Sequence, residues 1–564
     1  MDNMKEFIII KGDVSGIQEF IFNVKSKGAA KTLKARSFFI DAIGILGEEY
    51  IKKVFPNIQR IYNGGGNFYL KLKIEDWDIS KFQEIQKYFL EYFKKLNISL
   101  NLSYIEFNSN NYGETIANLN KITNNYKLTK WNNIDNSFFE PFIKIDSYAQ
   151  EKFKVFSETF IKSNYYTIED DENVKVYPEW IEKDSISLFG KKLLLQNNDS
   201  KNYHKLYSAL PIWTSKLKGR YNNNGKLNTI IDFGSLADFA KNRTGTRKIA
   251  ALKLDIDNLG SLFRSIENEE DNKKLSKYIT TFFTENFYEL LKRDFHYKIK
   301  NRNGSGKTLQ NVLYLDINGR NRKVKVNQIK TNNESYRDNL YVVFAGGDDS
   351  FIIGAWDAVI HFAVDLRKEF KEFDEKVIRP NISQINKPIT FSAAILIVDE
   401  HFPIVKIAQM VEERLHQAKK NTNISKNDAT GKSMKNNISF LNRVFTWEEF
   451  DNVADIQEKF WEMIVKYNEN RAFLQKIQQI FENKDTLYWQ RNNKPYDPSV
   501  LWRFKYHFRD IIKQDYFIYY FKQKIFGRNG IYQYEIWDKY NIKYSSKQKV
   551  PVAARWTELL TKNL

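Results

Sequence analysis

The sequence contains no cysteine in its 564 residues, which excludes disulfides and thiolate-held zinc and leaves oxygen and histidine to ligate any metal. A chain without thiols suits a reducing cytosol. No stretch approaches the roughly 18 apolar residues that a membrane helix needs. The opening MDNMKEFIIIKGDVSG has too short an apolar run for a secretory signal. A soluble, cytoplasmic protein with no membrane partner is the expectation. Acidic residues are in deficit, 69 against 88 lysines and arginines, for a formal charge of +19. That surplus favours polyanionic partners such as RNA or DNA, although Lys, Asn and Ile are used heavily along the whole chain and compositional drift accounts for part of it.

Aromatics are abundant: 43 Phe and 32 Tyr within a 42% hydrophobic composition supply large cores and argue against wholesale disorder. At roughly 100–200 residues per domain, the length implies three to four domains. Phe7 to Lys11 reads as a strand ending at Gly12-Asp13, followed by an amphipathic helix from Ile17 to about Val24 and a longer helix from Ala35 to Phe55. Arg60-Ile-Tyr-Asn-Gly-Gly-Gly-Asn-Phe-Tyr-Leu then reads as a glycine-turned hairpin.

The same order recurs later, with a strand from Lys248 to Asp255, a helix from Leu259 and a hairpin from Asn339 to Ile353 around Ala-Gly-Gly-Asp-Asp. Overlaying Asp13-Val14-Ser15 on Asp255-Ile256-Asp257 brings Gly64-Gly65-Gly66-Asn67 onto Gly346-Gly347-Asp348-Asp349. The second copy is longer, and the polar, Gly/Asn/Lys-rich stretch 298–338 absorbs the excess as a surface insertion. The architecture expected is α+β: two ferredoxin-like palm domains at 1–130 and 241–450, a small intervening domain at 131–240, and a helical domain at 451–564. Apolar stripes such as Ile456, Phe460, Met463, Ile464 and Tyr467 mark the last.

The chemistry concentrates in Leu340-Tyr-Val-Val-Phe-Ala-Gly-Gly-Asp-Asp-Ser-Phe-Ile-Ile-Gly. β-formers on both sides place two adjacent carboxylates in a tight turn, and Gly346 and Gly347 let backbone and phosphate approach closely. The strand Ala251-Leu-Lys-Leu-Asp-Ile-Asp ends in Asp255 and Asp257, so a palm-type sheet would gather three or four carboxylates. Such a cluster repels itself unless hard, oxygen-seeking cations neutralise it, and two Mg²⁺ or Mn²⁺ ions would do so. The reaction type that follows is attack of a ribose 3′-hydroxyl on an α-phosphate with pyrophosphate leaving, and Asp255, Asp348 and Asp349 are the candidate catalytic acids. The first copy has Gly66 and Asn67 in place of the acids, so one palm is expected to be catalytic and the other silent.

These segments closely resemble the large, polymerase-like subunit of type III CRISPR effector complexes, of the Csm kind. The resemblance rests on Gly12-Asp-Val-Ser-Gly-Ile-Gln-Glu-Phe-Ile-Phe, Ser26-Lys-Gly-Ala-Ala-Lys-Thr-Leu-Lys-Ala-Arg-Ser-Phe, Asn63-Gly-Gly-Gly-Asn-Phe-Tyr, Lys253-Leu-Asp-Ile-Asp-Asn-Leu-Gly and Phe344-Ala-Gly-Gly-Asp-Asp-Ser-Phe, in family order. It implies two facing palms that bind two ATP molecules and make cyclic oligoadenylate when the complex captures target RNA. It also implies metal at Asp255, Ile256, Asp348 and Asp349, and nucleotide contacts at Ser15, Gly16, Gly64, Gly65, Gly346, Gly347 and Lys435. CRISPR RNA, target RNA and a small helical subunit docking near the C-terminal domain are the partners implied.

Two departures shape the expectation. Many family members begin with a histidine-aspartate nuclease domain, whereas this sequence starts at the first palm and none of its six histidines is followed by Asp; no DNase of that type is expected. The family's cysteine zinc site is also missing. The alternatives are a catalytically silent RNA-binding scaffold, an adenylyl-conjugating relative that joins ATP to an adenosine metabolite such as S-adenosylmethionine, and a stand-alone diguanylate-type cyclase. Fusion of two palms in one chain disfavours the last.

Overall fold

A computed structural model of the chain describes residues 6–562 except 25–27, 94–95, 108–111, 130–146, 174, 198–202, 208–209, 222–225, 302–308, 316–319, 348, 421–422, 428–432, 482–501, 504–505 and 508–545. Its first unit runs β1 (Phe7–Ser15), α1 (Ile17–Phe22), α2 (Leu33–Val54), β2 (Gln59–Gly64), β3 (Asn67–Lys73), α3 (Ile79–Tyr92), β4 (Ser99–Phe107) and α4 (Tyr112–Thr129). The sheet order β2-β3-β1-β4, with every pair antiparallel, is the ferredoxin-like βαββαβ arrangement. Alternation along β1 divides its side chains between two cores. Ile8, Ile10 and Val14 face α2 and α3, while Ile9 lies under α4 with Phe107, Tyr112 and Leu119.

The second unit repeats the plan. It contains β9 (Ile249–Ile256), α8 (Leu259–Ser265), α9 (Glu269–Thr281), α10 (Phe287–Lys292), β10 (Asp294–Lys300), β11 (Leu309–Leu315), β12 (Asn321–Asn327), β13 (Ile329–Ser335), α11 (Tyr336–Asn339), β14 (Leu340–Gly346), β15 (Asp349–Ala355), α12 (Trp356–Phe373), α13 (Arg379–Asn381), β16 (Phe391–Val398) and α14 (Ile404–Lys420). β17 (Asn423–Asn427), β18 (Ser433–Met434), β19 (Asn437–Phe440) and β20 (Arg443–Thr446) complete it. The main sheet runs β14-β15-β9-β16-β19-β20, whose first four strands stand in the same order as the first sheet. The stretch expected as a polar surface insertion is an antiparallel ribbon: β10 pairs with β13 and β11 with β12.

Helix α2 is buried on almost every side along its first half, Lys34, Arg36 and Ser37 included, and a helix buried all round needs neighbours all round. It has them: β1 beneath, α5 (Ser147–Phe160) alongside, and β14 of the second unit beyond, where the Lys34 amide donates to the Tyr341 hydroxyl at 3.0 Å. The intervening stretch contributes a four-stranded sheet of β5 (Tyr165–Asp170), β6 (Ser185–Leu188), β7 (Lys191–Gln196) and β8 (His204–Lys205), the helices α6 (Ser215–Tyr221) and α7 (Phe233–Thr244), and an aromatic cluster of Phe153, Phe156, Trp180 and Phe189 that packs against α2 and α3. One core therefore runs from the first sheet to the odd-numbered face of the second, Ala251, Phe351 and Ile353 included.

The even-numbered face, with Leu252, Leu254 and Ile352, packs against α9, α10, α12 and three C-terminal helices, α15 (Trp447–Trp461), α16 (Ala472–Phe481) and α17 (Ser546–Leu560). Ile456, Phe460, Met463 and Ile464 are buried there, as their spacing implies. These helices share the core of the second sheet, and most of 482–545 lies outside the described residues. Among the described residues no helix is long and apolar enough to cross a membrane.

Candidate active site

The apolar run of β9, IAALKLDI, is buried along nearly its whole length because it is a central strand with a core packed on each face of its sheet. Its last turn carries the chemistry. Asp255 pairs directly with Asp349 on β15 and with Ser392 on β16. Both carboxylates point to the odd-numbered face and stay part-exposed, at 25% and 34% of the side chain. Like charges directly opposite on adjacent strands destabilise a sheet. Two lysines offset this: Lys419, at the end of α14, pairs with Asp255, and Lys253 lies 4.0 Å from Asp349 and pairs with Glu412 of α14.

The first sheet repeats this arrangement without the second acid. Asp13 pairs with Asn67 on β3 and Asn101 on β4, so the overlay made on motifs alone coincides with the strand register. Lys11, two residues before Asp13, lies 3.0 Å from it, and Lys127 at the end of α4 also pairs with it. One carboxylate faces two ammonium groups there. Around Asp255, three described carboxylates face two. The residual negative charge in the second unit suits a hard divalent cation, and the first has no such deficit. Among the described residues no cluster of three or more metal-ligating side chains forms. Asp348, the third acid expected, lies outside the described residues.

Asp257 departs from the expected acid cluster. β9 ends at Ile256 and the chain turns at Asn258, φ +56°, so Asp257 is buried. It accepts hydrogen bonds from Thr390 Oγ1 at 2.9 Å, Ser392 Oγ at 2.7 Å and the Asn436 amide at 2.9 Å. Burial pushes its carboxyl above the ordinary range against the opposing pull of those donors. It anchors the segment that carries Lys435, a half-buried residue, and is spent on structure. The Ile256 side chain enters the core, leaving only its backbone to face a ligand.

The glycines divide by duty. Gly65, at φ +61°, and Gly347, at φ +65°, turn the two hairpins. Gly64 is half-buried, and a Cβ there would lie 3.0 Å from the Tyr62 hydroxyl. A Cβ on Gly346 would meet nothing within 4 Å, so the acidic hairpin is open beside its turn. The hairpins approach each other, a Cβ on Gly347 lying 3.3 Å from the Tyr62 hydroxyl. Gly16 opens α1 at φ +82°, and Ser15 accepts a hydrogen bond from Asn101 Nδ2 at 2.9 Å. α1 leans on α14, with Gln18 Nε2 3.3 Å from Glu412.

Between the units lies a cavity of about 580 Å³, lined by Lys11, Asp13, Tyr62 and Tyr69 from the first sheet, Phe263 and Lys273 from α8 and α9, and Gly347 of the acidic hairpin. Ser15 and Gly16 do not line it. Lys11 and Lys253 could have been read from the sequence, since a lysine two residues before an aspartate shares its strand face. Lys127, Lys419 and Glu412 carried no local signal; helix packing brings them in.

Fold and site together define a protein of two palm domains, one with an acidic hairpin and one without. Residues 6–144 match the family described as Csm1 subunit domain B, and residues 248–430 match Cas10/Cmr2, second palm domain. The chain is 27% identical to the CRISPR system single-strand-specific deoxyribonuclease Cas10/Csm1 (subtype III-A) of Methanocaldococcus jannaschii, over 83% of this chain and 62% of the relative. It is 24% identical to the protein of the same name from Mycobacterium tuberculosis, over 86% and 60%. Among solved structures, a Csm1-Csm4 cassette in complex with cA4 superposes with TM-score 0.65 at 16% identity, covering 99% of this chain and 70% of that one. A cassette in complex with one ATP gives 0.64 at 17%, covering 97% and 70%. The chain belongs to the Cas10/Csm1 family, and spans about three fifths of the length of those two curated relatives.

Proposed function

We propose that this chain is a nucleotidyl cyclase of a type III CRISPR effector complex, joining ATP into cyclic oligoadenylate by 3′-hydroxyl attack on an α-phosphate, which breaks the α–β phosphoanhydride bond and releases pyrophosphate at each step. The observation that carries the reading is the in-register pair Asp255 and Asp349 in one palm, set against Asp13 and Asn67 in the other. Asp255, Asp348, Asp349 and the Ile256 backbone would hold two Mg²⁺ or Mn²⁺ ions, which when bound supply charge neutralisation and Lewis-acid activation. The chain's own groups do the rest. Gly346 leaves room for a triphosphate beside the hairpin, Lys253 and Lys419 hold positive charge on the reacting face, and the cavity ending at Gly347 holds the second nucleotide beside the first. The names of solved relatives bound to ATP and cA4 support this substrate and product.

CRISPR RNA, target RNA and neighbouring subunits belong to the same reading; a relative is described in a Csm1-Csm4 subcomplex of the type III-A interference complex. The test is mass spectrometry of products from the assembled complex with ATP, Mg²⁺ or Mn²⁺ and matching target RNA, beside an Asp348→Ala/Asp349→Ala control. Oligoadenylates that vanish in the control are expected. Product only after adding S-adenosylmethionine would redirect the assignment to a conjugating enzyme, and no product under any condition would leave a scaffold.

A further inference from the structure

The ribbon between α10 and α11 is not used by the cyclase chemistry, yet it holds the densest positive charge in the chain. From Lys298 to Lys330 the sequence carries nine lysines and arginines and one acid, eight of the nineteen surplus positive charges. General compositional drift would spread that surplus evenly. Arg320, Lys323, Lys325 and Lys330 are exposed. Lys323, Lys325 and Lys330 form no ion pair with a described residue, whereas Lys298 is engaged by Glu458 of α15.

The ribbon is firmly footed. Val326 is fully buried, and Asn327 Nδ2 donates to the Val465 carbonyl and to Asn468 Oδ1, both at 2.6 Å. Glu334 near its base is held by Arg243 at 2.7 Å and Arg220 at 3.1 Å. A rigid base with an unpaired basic outer edge is a presenting surface. Lys323 and Lys325 share one face of β12, about 6.7 Å apart at strand spacing. Each of the two ladders is seven residue pairs long, roughly 20 Å at strand spacing, and the three lysines sit on β12 and the adjoining start of β13. A linear track of fixed positive charge fits a linear polyanion better than a compact one. Leu309 is the one large apolar side chain exposed among the described ribbon residues, too little to insert into lipid. Edge strands do carry lysine to discourage pairing with other sheets, but that duty does not call for charge along both ladders.

We propose that the β10–β13 ribbon binds a nucleic-acid strand through its phosphates, without reading sequence, and independently of the cyclase site. The test measures binding of labelled 20-nucleotide RNA and of DNA of the same sequence to the full chain across a salt series, for the parent and for Lys323→Gln/Lys325→Gln/Lys330→Gln. Losing three phosphate contacts should flatten the slope of log affinity against log salt by about 2 and so weaken binding about a hundredfold near 0.1 M salt. A control with equal charge loss elsewhere, Lys81→Gln/Lys87→Gln/Lys376→Gln, should leave both unchanged, and circular dichroism establishes that both variants fold. Equal losses for RNA and DNA support backbone recognition. A ribbon variant that binds with the parent's affinity and slope, or no better discrimination than the control variant, would overturn the proposal.

Discussion

Asp349 stands directly opposite Asp255 across the β9–β15 ladder, two carboxylates where a stable sheet would place at most one. Lys419 and Lys253 offset part of this repulsion, and a bound cation removes the rest. Asp349→Asn should therefore raise stability by about 0.5–1 kcal/mol in EDTA while abolishing product formation. Thermal unfolding with and without Mn²⁺ separates the two effects. The parent should gain stability with Mn²⁺ by mass action and the variant should not. A variant that is less stable in EDTA, or gains as much from Mn²⁺, would contradict the assigned role.

Asp257 should behave in the opposite way. Its carboxylate accepts three hydrogen bonds inside the protein, and removing it leaves Thr390, Ser392 and the Asn436 amide without their acceptor. Asp257→Ala is expected to cost about 2–4 kcal/mol, with the Mn²⁺-dependent gain retained. Loss of that gain in a folded Asp257→Ala protein would place Asp257 in the metal site.

Much of this site was legible in the sequence, and the parts that were not share a cause. The overlay of Asp13 on Asp255 and of Asn67 on Asp349 needed only strand alternation and glycine turns, and the ladders place those residues opposite one another. Asp257 was grouped with the acids at the strand end because alternation was carried one residue past the end of β9, where Asn258 turns the chain; it is buried among hydrogen-bond donors instead. The partners of the acids on α4 and α14 lie more than a hundred residues away in sequence and follow from packing alone. The basic stretch near 298–338 was legible as an insertion; its ladder pairing was not, since Asn, Lys and Gly are poor strand signals.

Gly16 at the start of α1 and Gly346 in the acidic hairpin should respond differently to alanine. Gly16 has φ +82°, and a Cβ there would fall 1.9 Å from the Asn97 carbonyl oxygen, so Gly16→Ala combines backbone strain of about 1–3 kcal/mol with a clash against backbone. Gly346→Ala meets nothing within 4 Å and should fold as the parent does. Any rise in KM for ATP in Gly346→Ala then reports phosphate approaching that backbone. An unchanged KM would place the triphosphate elsewhere.

Asp374 supplies a pH signature away from the acids of the hairpin. It is buried where α12 ends, with its Oδ2 3.0 Å from Arg379 Nε and 3.2 Å from the Ile389 amide. Burial outweighs both partners and raises its pKa to about 6. A carboxyl titrating higher in the folded than in the unfolded chain makes the folded state bind more protons between the two values, so stability falls as pH rises through that window. The penalty is absent below about pH 4, grows by up to about 1.4 kcal/mol per pH unit, and is constant above pH 6. Asp374→Asn stays neutral throughout and lacks the penalty. Its stability relative to the parent should therefore increase between pH 4 and pH 6 and then level off, as followed by urea unfolding of both proteins at matched salt. A relative stability that stays flat across that window would mean that Arg379 already compensates the buried charge.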